Sequence, residues 1–136
     1  MSRLLSLFPP GVVLTDGAWG TEFLKRGLAP GEPADLWNLS RPEDVVAVAR
    51  AYVEAGSQVI LTNTFRSNPF ALAAHGDQAK AAEINRKGVE LSRVAADGRA
   101  RVFASMGPTG KMITAGEVSE AEVTDAFRLQ AEALAA

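Results

Sequence analysis

The sequence predicts an α/β fold with parallel strands, and three observations support this. Apolar segments at 12–15, 58–62 and 101–105 are each followed by a loop of small and polar residues and then by a helical pattern. These segments carry few charges and no polar alternation, which is typical of parallel strands covered on both faces. Strand and helix alternate, which predicts right-handed crossovers between the strands.

Two architectures fit this order, namely the opening part of an eight-stranded barrel and a small open doubly wound sheet. The last predicted helix runs from Ser119 to Ala136 without a stop signal. We therefore expect residues 1–136 to be the N-terminal portion of a larger domain. The alternative is a complete three-stranded domain that ends in a helix.

Composition excludes several functional classes. The chain has 136 residues, 47% of them apolar, and a net charge of −2 without a basic stripe, so we expect no nucleic-acid partner. No apolar run approaches the ~20 residues that span a membrane, and the start lacks a secretory signal. We expect no membrane association and a cytoplasmic protein. Without cysteine and with His75 as the single histidine, thiolate or histidine-rich metal sites are excluded within these residues.

Apolar periodicity and capping signals place the helices. Ser40 with Glu43 and Ser119 with Glu122 have the spacing of capping boxes, and Asn68-Pro69 is typical of a helix start. The loop at 28–38 is rich in proline and glycine. Helices are predicted over residues 2–8, 18–27, 41–55, 69–75, 77–96 and from 119 onward.

The loop after the first predicted strand, Asp-Gly-Ala-Trp-Gly-Thr at 16–21, is the sharpest local signal. Its glycines permit close approach of the backbone, and the amides at the following helix start suit a carboxylate. Asp16 would then bind an ammonium group, so the loop could hold a zwitterion. The alternative is that Asp16 only caps the next helix.

The other two loops are polar or rigid. Thr-Asn-Thr-Phe-Arg-Ser-Asn at 62–68 offers donors and acceptors, or is a turn whose asparagines bind local backbone. Ser-Met-Gly-Pro-Thr-Gly-Lys at 105–111 lacks the first glycine and the final Ser or Thr of a phosphate loop. Since loops at the carboxyl ends of parallel strands meet at one edge, we expect Asp16, Asn63 and Ser105 on one rim.

Four segments together resemble the homocysteine S-methyltransferase family, which includes the homocysteine-binding domain of cobalamin-dependent methionine synthase and betaine–homocysteine methyltransferase. The segments are Asp-Gly-Ala-Trp-Gly-Thr-Glu at 16–22, Trp-Asn-Leu-Ser-Arg-Pro-Glu at 37–43, Ala-Gly-Ser-Gln-Val-Ile-Leu-Thr-Asn-Thr-Phe at 55–65 and Ser-Met-Gly-Pro-Thr-Gly at 105–110. They occur in the family's order and at about its spacing. Four motifs in register are specific, whereas one would be weak.

The resemblance implies the first three strand–helix units of a (β/α)8 TIM barrel with homocysteine in its mouth. It implies transfer of a methyl group to the homocysteine thiolate, activated by zinc on three cysteines, to form methionine. The substrate-binding residues that it implies are Asp16, Gly17, Ala18, Trp19, Asn63, Thr64, Phe65, Ser105 and Gly107. It assigns no catalytic residue and no metal ligand to this chain.

Two residues depart from the family's pattern. Trp19 stands where a smaller or flexible residue is common, and Arg66 stands where glycine is frequent. Either would change the shape of the pocket or the choice of substrate. The zinc cysteines of the family, and a further acidic residue for the homocysteine amine, are expected beyond residue 136.

We therefore expect this chain to supply part of a homocysteine pocket and to be inactive alone. Its expected partners are homocysteine, a methyl donor, and the remainder of the barrel or a second chain. Cobalamin or folate would act through other domains. The alternatives are a non-catalytic, barrel-derived binding or assembly module, and an unrelated barrel enzyme of amino-acid or one-carbon metabolism.

Overall fold

Two parallel strands form the centre of the fold in the computed structural model, which describes residues 5–8 and 10–136. Strand β1 is Val59–Leu61 and strand β2 is Arg101–Phe103, with Ile60 opposite Val102. On the other side of β1, Thr15 forms a single parallel bridge with Val59. The three predicted strand segments therefore lie side by side in the order of the sequence.

The predicted first strand is wrong as a regular strand, because only Thr15 pairs. Leu14 N donates to the side-chain Oε1 of Gln58 at 3.2 Å instead of to a main-chain carbonyl. Beyond Thr15, the carboxylate of Asp16 accepts from Leu61 N at 2.7 Å. Side chains at both ends thus replace the evenly spaced main-chain bonds that would extend a parallel ladder.

The described part of the chain contains six α-helices. They are α1 Trp19–Lys25, α2 Trp37–Ser40, α3 Pro42–Glu54, α4 Pro69–Ala73, α5 Ala81–Ala96 and α6 Glu120–Ala135. Short 3-10 turns lie at Leu5–Leu7, Ala34–Leu36 and Gln78–Lys80. Of the helix predicted over 2–8, residues 2–4 lie outside the described residues. None of the described helices is both long and apolar enough to cross a membrane.

Two of the three capping predictions are confirmed. Ser119 and Glu122 form the reciprocal capping box of α6, and Asn68 accepts from Ala71 N at the start of α4. The box predicted at Ser40 is wrong, since that residue ends α2 and its hydroxyl donates to Leu36 O at 3.2 Å. Helix α3 begins without a side-chain cap.

The segment predicted as a loop over 28–38 is partly helical. It contains the 3-10 turn at Ala34–Leu36 and the first residues of α2. Trp37 is 1% exposed, and its ring meets the Phe23 ring edge-on with centroids 5.2 Å apart. Burial of the large aromatic ring holds the segment against the core, because removing apolar area from water stabilises it.

Helices α3 and α5 cover one face of the sheet. The predicted apolar face of α3 is confirmed, and its Ala49 and Val53 pack with Ile60 of β1 and Ala95 of α5. The expectation that both faces of the strands are covered is not met by the described residues. Leu61, whose neighbour Ile60 is fully buried, is 36% exposed. The face on which Leu61 lies is therefore open at the carboxyl end of β1, whereas Val59 on the same face is only 3% exposed.

A buried amide contact ties α2 to α5 and to the loop that follows β1. Asn38 Nδ2 donates to the carbonyls of Asn63 at 2.8 Å and Ile84 at 3.0 Å. Gly88 of α5 lies directly against this contact. A Cβ atom there would come within 2.5 Å of Thr64 Cγ2 and 2.8 Å of Asn38 Nδ2.

Replacement of Gly88 by alanine should destabilise the fold by about 1–3 kcal/mol, because overpacking outweighs the gain in helix propensity. Chemical denaturation of both proteins measures this difference. The matched control is Gly20→Ala in α1, where a Cβ meets nothing within 4 Å. Equal or greater stability of the Gly88 variant would show that α5 does not need this close approach.

Candidate functional site

A closed ring of hydrogen bonds joins the carboxyl ends of β1 and β2. Ser105 N donates to Thr62 Oγ1 at 2.9 Å, and Thr64 Oγ1 donates to Ser105 O at 2.7 Å. The two threonine hydroxyls are 2.5 Å apart. Since each hydroxyl has a single proton and that of Thr64 is committed, Thr62 is the donor between them. The ring fixes the two loops that follow the strands.

The residues of this ring line a cavity of about 190 Å³, which we call the mouth. Its lining includes Thr62 and Leu61 and five of the residues singled out in the sequence, namely Trp19, Asn63, Thr64, Phe65 and Ser105. Residues that are far apart in the sequence therefore meet at the ends of the strands. This placement leaves their individual roles as predictions.

Asp16 lies beside the mouth and uses one carboxylate oxygen twice. Its Oδ2 accepts from Trp19 Nε1 and from Leu61 N, both at 2.7 Å. Oδ1 accepts no hydrogen bond from the described residues. Asp16 does not cap α1, whose N-cap residue is Ala18 and has no side-chain cap bond. The carboxylate is thus held rigidly, with one oxygen available to a ligand.

Gly17 and Ala18 pack against Tyr52 of α3. A Cβ on Gly17 would lie 3.3 Å from the Tyr52 ring and hydroxyl, so this glycine permits a close approach. The Tyr52 hydroxyl donates to Ala18 O at 3.2 Å. Partial burial and then the charges of Glu22 and Asp16 raise the pKa of Tyr52. Gly17 and Ala18 are both exposed, and their main-chain amides donate no hydrogen bond to the described residues.

The side chain of Asn63 is committed to the fold. Its Nδ2 donates to Ala34 O at 2.9 Å and to Asn38 Oδ1 at 3.0 Å. Phe65, by contrast, is 54% exposed, although its carbonyl accepts from Gly107 N at 2.9 Å. A Cβ on Gly107 would clash with the carbonyl and ring of Phe65, so glycine lets the two loops touch.

Sequence reasoning missed Asp35, a carboxylate buried beneath the rim. It is 3% exposed, and its Oδ2 accepts from Arg66 N at 3.2 Å. Burial is the dominant effect and raises the pKa of Asp35 to about 6, although the hydrogen bond from the Arg66 amide acts in the opposite direction. The nearby Ser67 hydroxyl also lowers the pKa of this carboxyl, although it has no partner of good hydrogen-bond geometry. The signal available in the sequence was an acidic residue inside the otherwise apolar run Ala-Asp-Leu-Trp.

The residues of this chain do not fit a zinc site. The sequence has no cysteine, and the described residues hold no group of three His, Cys, Asp or Glu side chains able to surround a metal ion. Zinc in proteins takes nitrogen, sulfur and carboxylate ligands, usually four in number. What the arrangement supplies is a fixed carboxylate, free amides and aromatic surface around a small cavity.

Comparison with known proteins places the chain in a family. The family model described as "Homocysteine S-methyltransferase" matches residues 13–136. The chain is 30% identical to the methionine synthase of Mycobacterium tuberculosis over 136 residues, which are 91% of this chain and 11% of that protein. It is 30% identical to the methionine synthase of Mycobacterium leprae, with the same coverage. The chain thus spans about a tenth of the length of these relatives.

Solved structures agree with this result. The homocysteine methyltransferase MmuM of Escherichia coli, in its metallated form, superposes with a TM-score of 0.75 at 27% identity. The match covers 97% of this chain and 52% of that one. The oxidized form gives a TM-score of 0.71 at 29% identity and covers 90% and 49%. The mixed α/β arrangement therefore corresponds to about half of the MmuM structure.

Replacement of Asp35 by asparagine should flatten the pH dependence of stability. The folded carboxyl keeps its proton up to about pH 6, whereas the unfolded one loses it near its ordinary pKa of 3.8. The free energy of unfolding of the native chain should therefore fall by up to about 3 kcal/mol as the pH rises through this window. The variant should lack that fall, as measured by denaturation at several pH values.

The control for this experiment is Asp125→Asn, which changes an exposed carboxylate of α6. It should leave the pH profile of the native chain nearly unchanged. Parallel profiles for the native chain and the Asp35 variant would contradict the assignment of a raised pKa to this carboxyl.

Proposed function

Because the chain belongs to the homocysteine S-methyltransferase family, we propose that its mouth forms part of the binding site for homocysteine, the acceptor of a methyl group. The observation that carries this proposal is the free Oδ1 of Asp16, held beside a cavity at the ends of the strands. A fixed carboxylate there matches the ammonium group of an amino acid. Substrate sites of parallel α/β folds occupy this end of the strands.

The proposed binding mode uses the residues predicted from the sequence. The Asp16 carboxylate binds the ammonium group, and the exposed amides of Gly17 and Ala18 donate to the substrate carboxylate. Trp19 and Phe65 provide apolar surface for the carbon chain. Thr64 and Ser105 fix the floor through their hydrogen-bond ring, and Gly107 lets Phe65 lie against the opposite loop.

We propose that the three parallel segments and their helices are the opening strand–helix units of a (β/α)8 barrel. Coverage of about half of the MmuM structure supports this proposal. In the whole protein, the reaction would be transfer of a methyl group to the thiolate of homocysteine, which forms methionine. Zinc supplies activation of the thiol when bound, but its ligands would come from residues outside this chain.

The contribution of this chain is therefore binding and orientation. It would hold the amino-acid end of the substrate so that the sulfur projects toward the remainder of the barrel or a second chain. Positioning of this kind lowers the entropic cost of reaction. The methyl donor, the involvement of cobalamin or folate through other domains, and the cytoplasmic location stay predictions from the sequence.

A second candidate function is a non-catalytic module that pairs with another chain. The exposed part of the sheet favours it, since Leu61 is 36% and Leu14 is 55% exposed. Exposed apolar residues and unpaired strand edges promote association. Light scattering measures the oligomeric state, and titration measures homocysteine binding. A stable oligomer that does not bind homocysteine would favour the module.

Replacement of Asp16 by asparagine should weaken homocysteine binding at least about tenfold, because a charged hydrogen bond to the ammonium group is lost. The amide oxygen can still accept from Leu61 N, so the loop should remain folded. Calorimetric titration of the 136-residue chain measures the affinity, and Asp125→Asn is the matched control.

A ligand without the amine sharpens this test. The native chain should prefer homocysteine to 4-mercaptobutanoate, whereas the Asp16 variant should bind the two equally. If the variant keeps the preference, the ammonium group is bound elsewhere and the proposed role of Asp16 is wrong.

The isolated chain should form no methionine from homocysteine and either S-methylmethionine or methylcobalamin, because it has no thiolate ligands for zinc. Chromatography of the reaction mixture with added zinc measures the product, with a complete homocysteine methyltransferase assayed in parallel. Methionine formation by residues 1–136 alone would refute the proposal that this chain only binds and orients the substrate.

A further inference from the structure

A second cavity lies beside the mouth, between the loop after β1 and the loop after β2. Its volume is about 620 Å³. The residues that matter for its chemistry are Phe65, Arg66, Phe70, Pro108, Thr109 and Lys111. Phe65 also lines the mouth, so the two cavities adjoin at its half-exposed ring.

Hydrogen bonds hold the two walls of this second cavity in place. Asn68 is fully buried, and its Nδ2 donates across the cleft to Pro108 O at 3.1 Å. Gly107 N donates to Phe65 O at 2.9 Å. On the far wall, Thr109 is 8% exposed, and its hydroxyl accepts from Lys111 N at 3.2 Å. The cavity thus has a defined shape.

The charge of the second cavity is one-sided. Arg66 and Lys111 face it from opposite walls, and no acidic side chain lines it. Neither cation forms an ion pair with the described residues. Lack of an ion pair is not unusual among the described cations, since Arg50 and Arg93 also have none. What distinguishes Arg66 and Lys111 is that both line one cavity.

Two acidic groups lie close to the walls without lining the cavity. Glu117 Oε2 accepts from Met112 N at 2.8 Å, next to Lys111 in the chain. The other group is Asp35. It is buried beneath the loop and bonds the main-chain amide of Arg66, so it does not enter the cavity. Its charge moderates the positive potential from behind but leaves the donors of the guanidinium group free. Two unpaired cations at a cleft with aromatic walls favour an anion that also has an apolar body.

We propose that this cavity, the Arg66–Lys111 pocket, binds the carboxylate of a small molecule whose apolar part packs on Phe65 and Phe70. Arg66 can bind a carboxylate through two parallel hydrogen bonds, and Lys111 adds a point charge from the opposite wall. Since Phe65 joins the pocket to the mouth, the ligand's other end reaches the homocysteine site. On the proposed function, the ligand is the methyl-donating co-substrate.

The test uses benzoate as the probe and its uncharged amide, benzamide, as the matched ligand. Titration of the isotope-labelled chain is followed by amide chemical shifts at low salt. Benzoate should shift amides of residues 65–71 and 107–111, and benzamide should bind at least about fivefold more weakly because it lacks the charge. Added salt should weaken binding of benzoate but not of benzamide.

Replacement of Arg66 or Lys111 by glutamine should each weaken benzoate binding about five- to tenfold, and the double variant should lose more. Both side chains are exposed, so the variants should keep the native amide spectrum. Arg50→Gln and Arg93→Gln, exposed cations of α3 and α5, are the matched controls and should change nothing.

Equal affinity for benzoate and benzamide, unchanged affinity in the double variant, or shifts confined to another surface would each overturn the proposal. Homocysteine titration of the same variants separates it from the proposed function. If benzoate binds as expected while homocysteine does not bind the native chain, the carboxylate pocket is supported and only its assignment to a methyl donor falls.

Discussion

The ring of hydrogen bonds among Thr62, Thr64 and Ser105 is the constraint on which the site depends. Two short parallel strands end here, and main-chain groups at a strand end would otherwise lose their partners. Thr64 is fully buried, where an unmatched polar group costs about 1–3 kcal/mol. The threonine hydroxyls bond the main-chain N and O of Ser105 and so set the spacing of the two loops that carry Phe65 and Gly107.

A layer of buried amides supports the ring from below. Gln130 of α6 donates through Nε2 to Thr64 O at 2.9 Å and to Asn85 Oδ1 at 3.2 Å. Asn38 holds the carbonyl of Asn63 from the other side at 2.8 Å. Most polar side chains near the rim therefore serve the fold. On the proposed function, ligand recognition would depend on a few atoms, chiefly Oδ1 of Asp16, the exposed amides beside it and the aromatic rings.

The sequence predicted the features that depend on local chemistry or on a simple period. The spacing of apolar residues predicts the buried face of α3. A reciprocal hydrogen-bond motif predicts the capping box at Ser119, and parallel topology predicts that the three loops converge. Ser40 has the same motif as Ser119, but α2 ends at it and its hydroxyl turns back to Leu36. A local motif does not reveal such tertiary competition.

Features that depend on contacts between residues distant in the sequence were not predictable from local patterns. Nothing local shows that the amide nitrogen of Asn63 donates to Ala34 and Asn38, and the role of this residue toward a substrate stays a prediction. Asp35 is acidic and lies in a segment read as a loop, so its burial beneath Arg66 was not predictable. The first strand failed for a related reason, because the side chains of Gln58 and Asp16 take the place of main-chain partners.

The two departures from the family's pattern lie at different cavities. Trp19 donates through Nε1 to Oδ2 of Asp16, a bond that a methionine at this position would be unable to make. Together with Leu61 N, it occupies one carboxylate oxygen and leaves the other without a hydrogen bond from the described residues. Arg66 instead stands at the second cavity, where glycine would leave the wall without charge. The residue at position 19 thus orients the Asp16 carboxylate of the proposed acceptor site, while the residue at position 66 changes the electrostatics of the neighbouring cavity.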